Sequence, residues 1–123
     1  MILVVDDDAG VRATIARALA ELGYAVTEAA DAETAIALAR ERSLSLVILD
    51  YIMPGMDGAE AAREIAAIDP DLPIVFSTGH AALRALRAAA GEDVRVLEKP
   101  FTLDELDALL RERLAERRRA RSA

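Results

Sequence analysis

Leu46-Val47-Ile48-Leu49 is an unbroken apolar run of strand length, and it stops abruptly at a carboxylate, Asp50. Such a run reads as a strand buried on both faces. The pattern recurs. Ile2-Leu3-Val4-Val5 stops at Asp6, Asp7 and Asp8; Pro73-Ile74-Val75-Phe76 leads into Ser77, Thr78 and Gly79; Val94 to Leu97 runs into Glu98-Lys99-Pro100-Phe101. Tyr24 to Glu28 reads as a further short strand. Between them lie helical repeats. Asp8 caps a stripe of Val11, Ile15, Leu19 and Leu22 that Gly23 stops, and Asp31 caps a helix whose inner face includes Ala35, Ile36 and Ala39. Pro54-Gly55 and Asp57-Gly58 punctuate a loop before a helix from about Ala59 to Ile68, with Ala62, Ile65 and Ala66 inward and Asp69-Pro70 at its end. An Ala-rich helix from Ala81 to Ala90 has only Leu83 and Leu86 as large anchors, which makes it the least firmly held. Thr102 and Glu105 then form a capping box ahead of Leu103, Leu106, Leu110 and Leu114. Five strands alternating with five helices through short loops imply an α/β domain, a parallel sheet covered on both faces.

A length of 123 residues suits one domain able to bury a core without staples. No cysteine is present, so disulfides, zinc-thiolate sites and thiol chemistry are excluded together. No apolar run approaches the ~20 residues of a membrane span, and Met1 to Val5 lacks the form of a signal peptide; a soluble, cytoplasmic protein with no membrane partner is expected. From Arg111 onward six Arg face two Glu, a local +4, so the overall charge of −7 leaves −11 on residues 1–110. An acidic body argues against nucleic acid as a partner. The Arg117, Arg118, Arg119, Arg121 cluster reads as a solvated helix end at the negative pole of the helix dipole. The boundaries expected are a domain over 1–118 and a basic tail over 119–123.

The handedness of parallel connections places the loops that follow the strands on one rim. There fall Asp6 and Asp7, Asp50, Thr78 and Lys99, the only lysine. Asp50 alone is equally readable as a turn residue; four strand ends delivering complementary chemistry are not. Three carboxylates in one crevice repel one another. Lys99 offsets one charge, and a divalent cation would neutralise the remainder; oxygen-only ligands suit Mg²⁺, with Mn²⁺ a substitute. A partly hydrated cation there can bridge a carboxylate and an incoming phosphoryl group, with Thr78 and Lys99 on the other phosphoryl oxygens. His80, the single histidine, reads as a solvent-facing residue, and Met53 and Met56 as loop packing. A dinucleotide enzyme is disfavoured, because three acids stand where a glycine-rich turn would be needed. An aspartyl-phosphate phosphatase commonly has a second Asp two residues past its nucleophile, where Ile52 stands here.

VVDDD at 4–8, LDYIMPGMDG at 49–58, STG at 77–79 and EKPF at 98–101 together resemble the receiver domain of two-component response regulators, over residues 1 to about 115. The resemblance implies a flavodoxin-like fold with strand order 2-1-3-4-5 and commonly a cis Lys-Pro bond. It implies Asp50 as phosphoacceptor, Asp6, Asp7 and Asp50 with the Ile52 backbone carbonyl around Mg²⁺, Thr78 as switch hydroxyl and Lys99 as the site lysine. The donor would be the phosphohistidine of a histidine kinase or histidine phosphotransfer protein. A downstream protein would read the face of helix 4, strand 5 and helix 5, and the molecule would be a monomer or weak dimer. Beyond self-phosphorylation from small phosphodonors and self-dephosphorylation, no enzyme activity is implied. Val96 stands where receivers often carry Tyr or Phe, which puts the usual aromatic coupling in doubt. Stand-alone and hybrid-kinase receivers look similar in the stretches PGMDG and FSTGHA. No output domain is expected; the alternatives are a receiver fragment of a hybrid histidine kinase and a phosphorylation-independent adaptor.

Overall fold

The computed structural model describes residues 1–122, with side chains through Arg119. Strands β1 (Ile2–Val5), β2 (Val26–Ala29), β3 (Leu46–Asp50), β4 (Ile74–Gly79) and β5 (Arg95–Lys99) form one parallel sheet in the order β2-β1-β3-β4-β5. Helices α1 (Ala9–Glu21), α2 (Ala32–Glu41), α3 (Gly58–Ile68), α4 (Leu83–Ala90) and α5 (Leu103–Ser122) connect or follow them, and a 3₁₀ turn, His80–Ala82, leads into α4. This is the expected doubly covered sheet, and Lys99-Pro100 is cis.

Alternation along each strand divides the core into two layers. On one face Val4, Ile48, Val75 and Leu97 pack with α1 and α5 through Ile15, Leu19, Leu106 and Leu110. On the other, Val5, Leu49 and Phe76 pack with residues of α2, α3 and α4. Each fully buried aliphatic side chain contributes roughly 1.5–3 kcal/mol relative to exposure.

The helix starts follow their caps. Asp8 accepts from the N–H groups of Gly10 and Val11, Asp31 from Thr34 and Asp57 from Glu60. Thr102 and Glu105 exchange both bonds of a capping box at 3.1 Å. Gly23, at φ 95°, closes α1.

Several expectations need correction. β2 begins at Val26, not Tyr24, while β4 and β5 run on through Gly79 and Lys99, so their polar residues lie within the sheet. Gly58 belongs to α3 and shifts its phase: Gly58, Ala61 and Ile65 face inward and Ala66 is exposed. Leu103 is 43 % exposed, because the inner stripe of α5 starts a turn later at Leu106. In α4 only Leu86 is fully buried. Met53 is buried in the core layer under α2 and α3. Arg117 is buried rather than solvated, donating at 3.3 Å to the Asp71 carbonyl and to Asp69 Oδ2. The side chain of Arg121, and Ala123, lie outside the described residues.

Candidate functional site

Counting two residues past each core residue on the α1/α5 face gives one polar row. Val4 is followed by Asp6, Ile48 by Asp50, Val75 by Ser77 and Leu97 by Lys99. The parallel ladder sets Asp50 directly opposite Ser77, while on β5 Leu97 faces Ser77 and Lys99 faces Gly79, two residues further along. The same face of the sheet thus turns from hydrocarbon to polar side chains at its carboxyl rim.

Asp6, Asp7 and Asp50 each offer a carboxylate oxygen, all within 4.8 Å of one another. Asp6 and Asp50 are buried and Asp7 is exposed, which leaves the cluster open to solvent on one side. Lys99 Nζ donates to Asp6 Oδ2 at 3.0 Å and lies 3.8 Å from Asp50 Oδ1. Asp6 Oδ1 is engaged by the Asp8 N–H at 2.9 Å, and Arg12 Nη1 donates to the Asp6 carbonyl at 2.7 Å, so the strand end is held on both sides. Burial pushes the Asp50 carboxyl up from 3.8 to about 6; Lys99 opposes this, Asp6 and Asp7 add to it, and the Ile52 backbone N–H favours the ionised form. A carboxylate that burial penalises, beside two more acids and one ammonium, is a site short of positive charge. The oxygen donors fit a hard divalent cation.

The β3–α3 loop leaves the site under tight control. A Cβ on Gly58 would stand 2.6 Å from the Asp50 carbonyl oxygen and 2.7 Å from Tyr51 Cα, and the Gly58 N–H donates to the Tyr51 carbonyl at 2.7 Å. Only glycine permits that approach. Ile52 turns its side chain to solvent, 63 % exposed, and meets the site through its backbone.

Thr78 is buried one residue past the partner of Asp50, paired with Glu98, and the hydrogen bonds of the cluster run through Lys99 and Asp6 rather than through it. Its neighbour Gly79 pairs with Lys99. His80 is solvent-facing as expected, its side chain 90 % exposed, and Nδ1 lies 3.1 Å from Glu98 Oε1. From the sequence, Ser77 is visible only as a residue at a strand end and Gly58 only as loop punctuation. Parity along β4 marks the first. The second leaves no local signal, since its neighbour is backbone already turned through a loop.

Residues 2–111 match the family described as response regulator receiver domain. The chain is 43 % identical over 107 residues to the response regulator receiver protein CpdR of Brucella abortus, covering 85 % of this chain and 88 % of that protein. It is 40 % identical over 112 residues to the response regulator MprA of a Mycobacterium species, where it covers 89 % of this chain but spans about half, 48 %, of the relative. Among solved structures, the receiver domain of NtrX from Brucella abortus superposes with a TM-score of 0.87 at 33 % identity, covering 94 % of this chain and 98 % of that one.

Proposed function

We propose, for a chain that belongs to the response regulator receiver family, that Asp50 accepts a phosphoryl group from the phosphohistidine of a histidine kinase or phosphotransfer protein. The observation that carries this reading is the convergence of Asp6, Asp7 and Asp50 within 4.8 Å, with Lys99 between two of them. In the transfer the P–N bond breaks with its electrons passing to the imidazole, and a P–O bond forms to Asp50. Lys99 is placed to follow the charge from the carboxylate to the phosphoryl oxygens. A bound Mg²⁺ or Mn²⁺, held by Asp6, Asp7, Asp50 and the Ile52 carbonyl, would supply the remaining positive charge for the transfer. Thr78 closes on the modified side chain, and its movement draws on the Gly79–His80 segment that leads into α4. A downstream protein reads the face formed by α4, β5 and α5. The acidic body disfavours nucleic acid as that partner.

Incubation with acetyl phosphate, followed by intact mass, tests the reading. One added phosphoryl group is expected in wild type with Mg²⁺, and none with chelator or in Asp50→Asn. Equal modification in chelator, or undiminished modification of Asp50→Asn, would overturn it.

A further inference from the structure

The row across the sheet has a member with no task in the transfer just described. Ser77 is 1 % exposed, and its Oγ has no hydrogen-bond partner among the described residues. A buried hydroxyl left unpaired is a net cost to the fold. Its ladder partner is Asp50, on the same face of the sheet, with strands about 4.8 Å apart. On the other side it pairs with Leu97, which offers hydrocarbon only. The polar side chain opposite Ser77 in the ladder is thus that of Asp50, toward which rotation about one χ1 can turn the hydroxyl.

We propose that Ser77 is a positioning residue: its hydroxyl donates to the Asp50 carboxylate and so shortens the life of the acyl phosphate formed there. The proposal rests on the reading of Asp50 as phosphoacceptor. In hydrolysis, water forms the new bond to phosphorus, the bond from phosphorus to the Asp50 oxygen breaks with its electron pair staying on Asp50, and the proton of water leaves with the phosphate. Ser77 transfers no proton. Its hydrogen bond strengthens as negative charge returns to the carboxylate, so it favours the departing carboxylate over the acyl phosphate.

The phosphorylated protein is prepared with acetyl phosphate and Mg²⁺, freed of donor, and followed by intact mass. Wild type is compared with Ser77→Ala and with the pair Ser77→Thr and Ser77→Val, which differ only in hydroxyl against methyl. Ala and Val should lengthen the lifetime by roughly tenfold, the weight of about one hydrogen bond to a charged group, while Thr stays near wild type. An unchanged lifetime in Ser77→Ala, or equal lifetimes in the Thr and Val variants, would overturn the role of Ser77 and leave the phosphoacceptor reading standing. Modification that persists in Asp50→Asn would overturn both.

Discussion

Helix α4 is held to a different standard from the helices on the opposite face of the sheet. On that first face, α1 and α5 each start at a side-chain cap and each bury two large residues, Ile15 and Leu19, Leu106 and Leu110. On the other, α4 has no side-chain cap and a single fully buried residue, Leu86. The polar row Asp6, Asp50, Ser77 and Lys99 stands on the first face. Chemistry is mounted on the firmly held side, and the loosely held element lies opposite. On the proposed function, a signal from Asp50 to α4 has to cross the sheet. The strand alternation offers a route, because these residues have neighbours of opposite parity: Tyr51 beside Asp50, Thr78 beside Ser77, Glu98 beside Lys99. Tyr51 packs against the α2/α3/α4 layer, and its hydroxyl donates to the Ala85 carbonyl of α4 at 3.4 Å. Val96, on the same layer, is stiff at χ1 and has no ring to swing.

The largest test of this contrast is Leu86→Ala. It should cost about 3 kcal/mol in denaturant melts. Amide exchange should rise far more in Leu83–Ala90 than in α5, and an even rise over both faces would break the contrast. Asp50→Asn should act in the opposite sense. Because burial raises the Asp50 carboxyl to about 6, the native state binds the proton more tightly than the unfolded chain. Ionised Asp50 is then a cost that sets in between pH 3.8 and about 6 and is complete above. The variant should be more stable than wild type at pH 7 without metal, on the order of 2–3 kcal/mol. That gain should fade as pH falls through 6 toward 4. Parallel pH profiles for the two proteins would show that the site is not strained by its acids.

Smaller effects sharpen the picture. Thr102→Ala removes half of the capping box beside the site and should lower stability by about 1 kcal/mol, read from thermal melts. A loss confined to the measurement error would mean that α5 is held by its leucines alone. Tyr51→Phe should change melting by only a few tenths of a kcal/mol, since a 3.4 Å bond is long. With beryllofluoride bound, however, exchange in α4 should respond less in this variant than in wild type. An identical response would remove Tyr51 from the route across the sheet.

Most of the architecture and the acids of the site were legible in the sequence, because they depend on local rules. Apolar runs of strand length, Asp at helix starts and the Thr102–Glu105 box each have a single sensible reading. What escaped depends on distant partners. Ser77, Thr78 and Lys99 look like loop because they are polar, yet β4 and β5 pair through them. Arg117 looks solvated because its sequence neighbours are charged, yet it meets Asp69 and Asp71 from the α3–β4 connection. Ala66 and Ala61 are interchangeable by composition, and the contact of Gly58 with Tyr51 sets the phase that chooses between them.

The same Gly58 contact bears on where the chain tolerates added length. With the Gly58 N–H fastened to the Tyr51 carbonyl, residues 52–57 hang from a fixed neck. Pro54 and Gly55 at the tip are exposed, and Gly55 already holds a φ of 86°. Lengthening a closed loop costs only about 0.6 kcal/mol per doubling. A short epitope or fluorophore-bearing peptide spliced between Pro54 and Gly55 would enlarge the ring without moving its neck. Asp50 would keep its place while the probe rides a few residues from its carboxylate.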